Sequence, residues 1–377
     1  MNRAYLVRQA DYDVAALESA VDRIFSAFGF YEKLRETRQV VVKPNLVMKS
    51  APEEAIITHP NLVAAVALCL KKRGAEVLVA ESGGGVYNTA VMKSVFRGCG
   101  YTAAAEQYGF SLYTACRAQP VELPRGVRCG ALSVLEPFVQ PRGSLVVNIA
   151  KLKTHGMMGY SGAVKNLFGT VPGLMKPELH CRYPEKEPFA EMLVDLCDYI
   201  GADFSLIDGV EAMEGDGPTG GQKRFVGALI GAESPYAADL AGAAVIGMRP
   251  EEILTLQNAR ARGLCADAPL EVLGDPLDSV RVPDFKRARS SDVDFLARVP
   301  KAFRPLAKKI ATPYPRIRRK SCVGCGKCAE SCPPHTISVV DRKAVINRQN
   351  CIKCYCCHEM CPVHAISVKR SRILEKL

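Results

Sequence analysis

The chain has 377 residues, is 48% hydrophobic, and carries a net charge of +11 and sixteen cysteines. That length suits two or three domains with a sizeable core; its longest apolar runs, such as residues 62–70, are too short to span a bilayer, and the amino-terminal MNRAYLVRQADYD lacks the apolar run of a signal peptide. The expectation is a soluble, cytoplasmic protein whose cysteines serve as metal ligands and not as disulfides.

Residues 1–285 alternate strands with helices. Val- and Ile-rich runs predict strands at 5–7, 39–42, 76–80, 145–149, 204–207 and 225–230. Helical spacing predicts helices at 14–28, stopped by Gly29, and at 61–73, between Pro60 and Gly74. Further helices are expected at 189–200 and 235–247. This alternation is that of an α/β domain with a largely parallel open sheet and flanking helices.

Polar residues follow four of these strands. Lys43 and Asn45 follow the second, and Glu81, Ser82 and three glycines the third. Lys151, Lys153 and His155 follow the fourth, and Asp208, Glu214 and Asp216 the fifth. No acid lies between Glu136 and Glu178, so Lys151, Lys153 and Lys165 have no carboxylate neighbour in sequence. Parallel strands would bring these groups to one sheet edge, where α/β proteins bind ligands. The constellation reads as a cleft for a small anion, held by Lys43, Asn45, His59, Glu81, Ser82, Lys151, Lys153 and Asp208. His155 or Lys165 would supply a proton. For each lysine alone, the competing reading is an ordinary solvated cation. His59 also reads as a helix cap, and Glu214 with Asp216 as either metal ligands or a hydrogen-bonded glycine-rich turn. Neither a dinucleotide fingerprint nor a phosphate-binding loop of nucleoside triphosphatases is present.

Residues 286–320 carry twelve Lys/Arg against Asp292 and Asp294, with prolines at 300, 305, 313 and 315. They read as a basic tether. Residues 371–377 read as a tail.

Residues 321–370 contain a repeat offset by 29: CVGCGKCAESCPPHTISV from Cys322 and CIKCYCCHEMCPVHAISV from Cys351. Each runs C-x2-C-x2-C-x3-C-P. Thiolates at this spacing wrap a 4Fe-4S cubane, and the fourth of each run ligates the other cluster. One cluster is therefore assigned to Cys322, Cys325, Cys328 and Cys361, and the second to Cys351, Cys354, Cys357 and Cys332. Zinc knuckles use paired C-x2-C units and leave the third cysteine unexplained. Cys356 reads as a bystander thiol. The unit resembles the bacterial two-cluster ferredoxin domain, a small α+β fold, which implies two low-potential clusters passing single electrons.

The stretches VVVKPNLV, THPNLVAAV, VLVAESGGG, VNIAKLKTHGMMGYSGAVKNLFGTVPGLMKPELH and EGDGPTGG make residues 38–250 resemble the family of unknown function numbered 362, often fused to a ferredoxin domain. The resemblance implies no mechanism. Two functions follow from the residues. One is an oxidoreductase whose clusters exchange electrons with a small anionic substrate, or an unidentified further cofactor, in the cleft. The other is an electron relay or redox sensor whose α/β unit docks a partner protein, with a ferredoxin, flavodoxin or reductase as redox partner in either case. The tether's few aromatics argue against nucleic acid, its prolines argue against a membrane-bound helix, and the clusters suggest an anaerobic or low-oxygen setting.

Overall fold

The structure is a computed structural model and describes residues 2–288 and 313–369. The tail, and the centre of the expected tether, lie outside the described residues. The first unit is built on a nine-stranded sheet. Its strands are β1 (Asn2–Arg8), β2 (Gln39–Lys43), β3 (Glu76–Val79), β4 (Ser111–Leu112), β7 (Leu145–His155), β8 (Gly159–Ser161), β9 (Phe204–Glu214), β10 (Gln222–Ala232) and β11 (Leu270–Gly274); β5 (Ala118–Glu122) and β6 (Ala131–Leu135) form a separate hairpin. The order is β11-β1-β10-β9-β7-β2-β3-β4, with β8 paired to the far end of β7. β10 runs antiparallel to β9 and β1, and β8 antiparallel to β7; the other neighbours are parallel. The open, largely parallel sheet expected from the alternation is present.

Helices cover both faces, so the central strands are buried on both sides. On one face lie α1 (Val14–Ala27), α2 (Pro60–Lys71), α3 (Thr89–Gly98) and α4 (Tyr101–Tyr108). The other carries α5 (Ala163–Asn166), α6 (Met175–Arg182), α7 (Lys186–Ile200), α8 (Pro235–Val245) and α9 (Leu254–Ala261). Sequence signals set the ends of these helices. Asp13 accepts from the Ala16 amide at 2.9 Å and starts α1, a cap contributing about 1 kcal/mol. Gly29, at φ +62°, lies just beyond its end.

Two strands are longer than expected. β7 continues through Lys151 and Lys153 to His155, and β9 continues through Asp208 to Glu214. An apolar run read from sequence stops at the first polar residue. Here Lys151 and Asp208 are register partners, and each supplies the other's charge, so both strands proceed.

The second unit carries β12 (Tyr314–Ile317) paired with β15 (Ile366–Lys369), and β13 (Ile337–Val340) paired with β14 (Lys343–Ile346). Two four-residue helices, Lys327–Glu330 and Cys356–Glu359, follow corresponding cysteines of the repeat. β12 falls inside the segment expected to be tether, because Pro315 is tolerated on a strand with only one partner. At the other end, Lys286 and Arg287 bond to the first unit through Glu214 and Gly247, and Ala288 is buried.

Candidate functional site

The repeat gathers its thiols around two cavities. Cys322, Cys325, Cys328 and Cys361 line one; Cys332, Cys351, Cys354 and Cys357 line the other. The fourth cysteine of each run thus joins the other run. Backbone amides approach three of the sulfurs: Ala344 N to Cys322 at 3.4 Å, Thr336 N to Cys332 at 3.3 Å, and Ala365 N to Cys361 at 3.1 Å. Four soft donors per cavity with amide support fit a 4Fe-4S group.

The cleft lies beyond the carboxyl ends of β2 and β3 and has a volume of about 90 Å3. Lys43, Asn45, Glu81, Ser82, Lys153, Lys165, Asn166, Phe168, Lys176 and His180 line it from the first unit. Cys356, Glu359 and Met360 line it from the second, so the cysteine domain closes the site. Four lysine side chains therefore share the cleft with two acidic ones, Glu81 and Glu359.

The four lysines are not equivalent. Lys43 is 1% exposed and pairs with Glu81, while the Pro44 carbonyl (2.9 Å) and Asn166 Oδ1 (3.2 Å) take its other hydrogens. Lys153 donates to Asn45 Oδ1 and the Ile56 carbonyl, each at 2.8 Å. Burial pushes its pKa well down, neighbouring Lys165 adds to this, and Glu359 opposes it. Lys176 donates to the carbonyls of Ser82 and Gly83 and to Ser82 Oγ, and burial lowers its pKa to about 7. Lys165, on α5, makes no hydrogen bond among the described residues; its Nζ lies 5.9 Å from the centre of the Phe168 ring. Burial lowers its pKa and Glu359 opposes the shift. The buried Asp239 of α8 caps α5, accepting from the amides of Ala163 and Val164, and so fixes where Lys165 starts.

His155 stands behind Glu359. Its Nδ1 accepts from the amides of Met157 (3.0 Å) and Met158 (3.2 Å), which puts the ring proton on Nε2. Nε2 faces Glu359 Oε1 at 3.2 Å, but neither atom has an aligned hydrogen-bond partner. Burial holds the His155 pKa down at about 4. Burial alone would raise the Glu359 carboxyl; His155 and Lys165 outweigh it and hold it at about 2. His155, expected to face the substrate, is therefore turned towards a carboxylate of the second unit. His180 stacks on Phe189 at 4.3 Å and keeps an unpartnered, buried Nδ1.

Lys151, Asp208 and His59 do not reach this cavity. Asp208 accepts from Lys151 Nζ (3.0 Å), Tyr12 Oη (2.8 Å) and the His59 amide (2.9 Å). His59 caps α2 through Nδ1 and stacks on Tyr12 at 3.8 Å. They form a closed internal network and do not line an anion site. Glu214 holds Lys286. The glycines also serve a different end from the one expected. A Cβ on Gly84 would stand 2.4 Å from Met360 Sδ, and one on Gly220 2.3 Å from His358 Cε1. The glycine-rich loops seat the second unit: Thr219 donates to the Glu359 carbonyl at 3.1 Å, and His358 Nε2 lies 3.2 Å from the Asp216 carbonyl.

Sequence reasoning missed Lys176, Asn166, Glu359 and Met360 as cleft residues, and took Cys356 as a bystander. One available signal was the repeat itself. At the positions of Cys356 and Met360 the first run has Lys327 and Ser331, a departure that ligation does not require.

Fold and cleft, then, are those of an α/β protein whose ligand edge is covered by its own cysteine domain. Residues 40–244 match the family described as a domain of unknown function (DUF362), and residues 314–362 match a 4Fe-4S dicluster domain. The chain belongs to the DUF362 family, joined to an iron–sulfur domain of the electron-transfer type. It is similar to the thylakoid-associated protein sll1697 of Synechocystis sp., with 30% identity over 268 residues, 69% of this chain and 79% of that protein. Among the described residues, no helix is long and apolar enough to cross a membrane.

Proposed function

We propose that the protein is an oxidoreductase acting on a small anionic substrate in the lysine cleft. The observation that carries this reading is that Cys356 and Glu359, in the helix that follows the ligand Cys354 and includes the ligand Cys357, form part of the cleft wall. When bound by the two cysteine sets, the clusters supply or accept single electrons. Lys165 binds the substrate's anionic group, since among the described residues its side chain has no hydrogen-bond acceptor to give up. Lys43 and Lys153 are held by their own partners and shape the cleft wall. Lys176 Nζ, with a pKa near neutrality, carries a proton to or from the substrate. Glu359, faced by His155, fixes the remaining wall, and Phe168 and Met360 exclude water. A cavity of about 90 Å3 is smaller than the ~150 Å3 that accommodates benzene, which favours a small carboxylate or oxyanion over an organic cofactor such as flavin.

The test is to reduce the anaerobic full-length protein, remove the reductant, and mix it with a panel of small carboxylates and oxyanions while following the visible absorbance. At least one compound should reoxidise the protein and be reduced. Lys165→Ala should slow that step by about 10²–10³-fold, as for loss of one positioned donor, with iron and sulfide content unchanged. If no compound reacts but a redox protein exchanges electrons freely, the α/β unit is a relay or sensor and not a catalyst.

A further inference from the structure

The two halves of the repeat sit in different surroundings. At an offset of 29, Lys327 corresponds to Cys356 and Glu330 to Glu359. Cys356 and Glu359 wall the cleft, whereas Lys327 and Glu330 are exposed. Cys325 is exposed, and its counterpart Cys354 is buried. The set of Cys332, Cys351, Cys354 and Cys357 is thus the inner one, beside the cleft, and the set containing Cys325 is the outer one.

The outer set meets solvent at an apolar spot. Val323 is 54% exposed and Val363 39%, and both line the same cavity as Cys325. Exposed cations flank it along the chain: Arg318, Arg319 and Lys320 precede Cys322, Lys327 lies between Cys325 and Cys328, Arg318 donates to the His364 carbonyl next to Val363, and the Arg342 carbonyl abuts Gly324. Residues 313–369 hold ten Lys/Arg against three Asp/Glu, and one of those acids, Glu359, is turned into the cleft. A small apolar contact inside a rim that is mostly basic, with Glu330 and Asp341 as its exposed acids, is the form expected of a fast, transient interface with an acidic partner.

We infer that this outer pole docks a one-electron carrier protein whose own redox centre is ringed by acidic residues. Reduction then proceeds from the carrier to the outer set and from there to the inner set at the cleft. The carrier loses one electron and the outer centre gains it, and no bond is made or broken. This inference rests on the reading of the cleft as the place where electrons are used. Its test reads docking and delivery only, so failure of either reading can be told apart.

The probe is flavodoxin, an acidic carrier, used with the anaerobic full-length protein. Oxidised flavodoxin should bind at low salt, and electron transfer from its hydroquinone should slow steeply as salt is added. Lys320→Glu combined with Lys327→Glu should weaken binding and slow transfer by about tenfold or more. Photoreduction through a neutral deazaflavin should be unchanged, showing that the centres are intact. Salt-independent transfer in the unmodified protein would overturn the inference without reference to any variant. Retention on phosphatidylglycerol vesicles with no flavodoxin complex would also overturn it, and would assign the basic pole to a lipid surface.

Discussion

Lys151 and Lys153 are two residues apart on one strand and have different fates. Lys151 is closed into a network with Asp208, Tyr12 and the His59 amide. Lys153 reaches the cleft and, among the described residues, is held by neutral acceptors. Nothing local in the sequence separates them, because the partner that captures Lys151 arrives from a strand more than fifty residues later. A buried pair of this kind is weak evidence of net stabilisation, but removing one partner leaves a charge stranded. Asp208→Ala should therefore destabilise the protein by about 3–5 kcal/mol, read by chemical denaturation of the anaerobic protein. A change below about 1 kcal/mol, within the range of an exposed pair, would mean that the network is open to water. Lys165 was legible as a candidate from its position in an acid-free stretch; its lack of a hydrogen-bond partner among the described residues was not.

At the level of elements, helices and strands were legible where periodicity and end signals agreed, as for α1, α2 and β2. What stayed hidden was the continuation of β7 and β9 through charged residues, and the direction of β10, which apolar pattern does not encode. The glycine-rich loops were the most misleading feature. Their glycines read as room for an anion, yet Gly84 and Gly220 make room for Met360 and His358 of the cysteine domain. Sequence offers no means of telling a ligand from a neighbouring domain as the object a glycine accommodates. Gly84→Val puts carbon where Met360 sits. It should raise hydrogen exchange in residues 355–361 and 215–221 while leaving iron content unchanged. Unaltered exchange in both segments would show that these loops do not seat the second unit.

For the whole molecule, cysteine content pointed to metal ligands, the repeat's spacing specified iron–sulfur, and the reading of the charge was incomplete. The excess positive charge read as a property of the tether, but the cysteine domain itself is basic on the face away from the cleft. The 29-residue repeat carried both the ligand pattern and, in its departures at Cys356 and Met360, the clue to which half faces inward. The seating of the second unit makes the cleft a joint product of both domains. A bound anion should then be felt by one centre and not by its twin, because charge near a redox site favours the form of opposite sign and the effect falls off with distance.

The most direct measurement is an EPR-monitored redox titration of the full-length protein with and without acetate. If Lys165 holds a small anion beside the inner centre, acetate lowers the potential of one centre, leaves the other in place, and has no effect in Lys165→Ala. Two unmoved potentials at saturating acetate, or an equal shift in the variant, would contradict it.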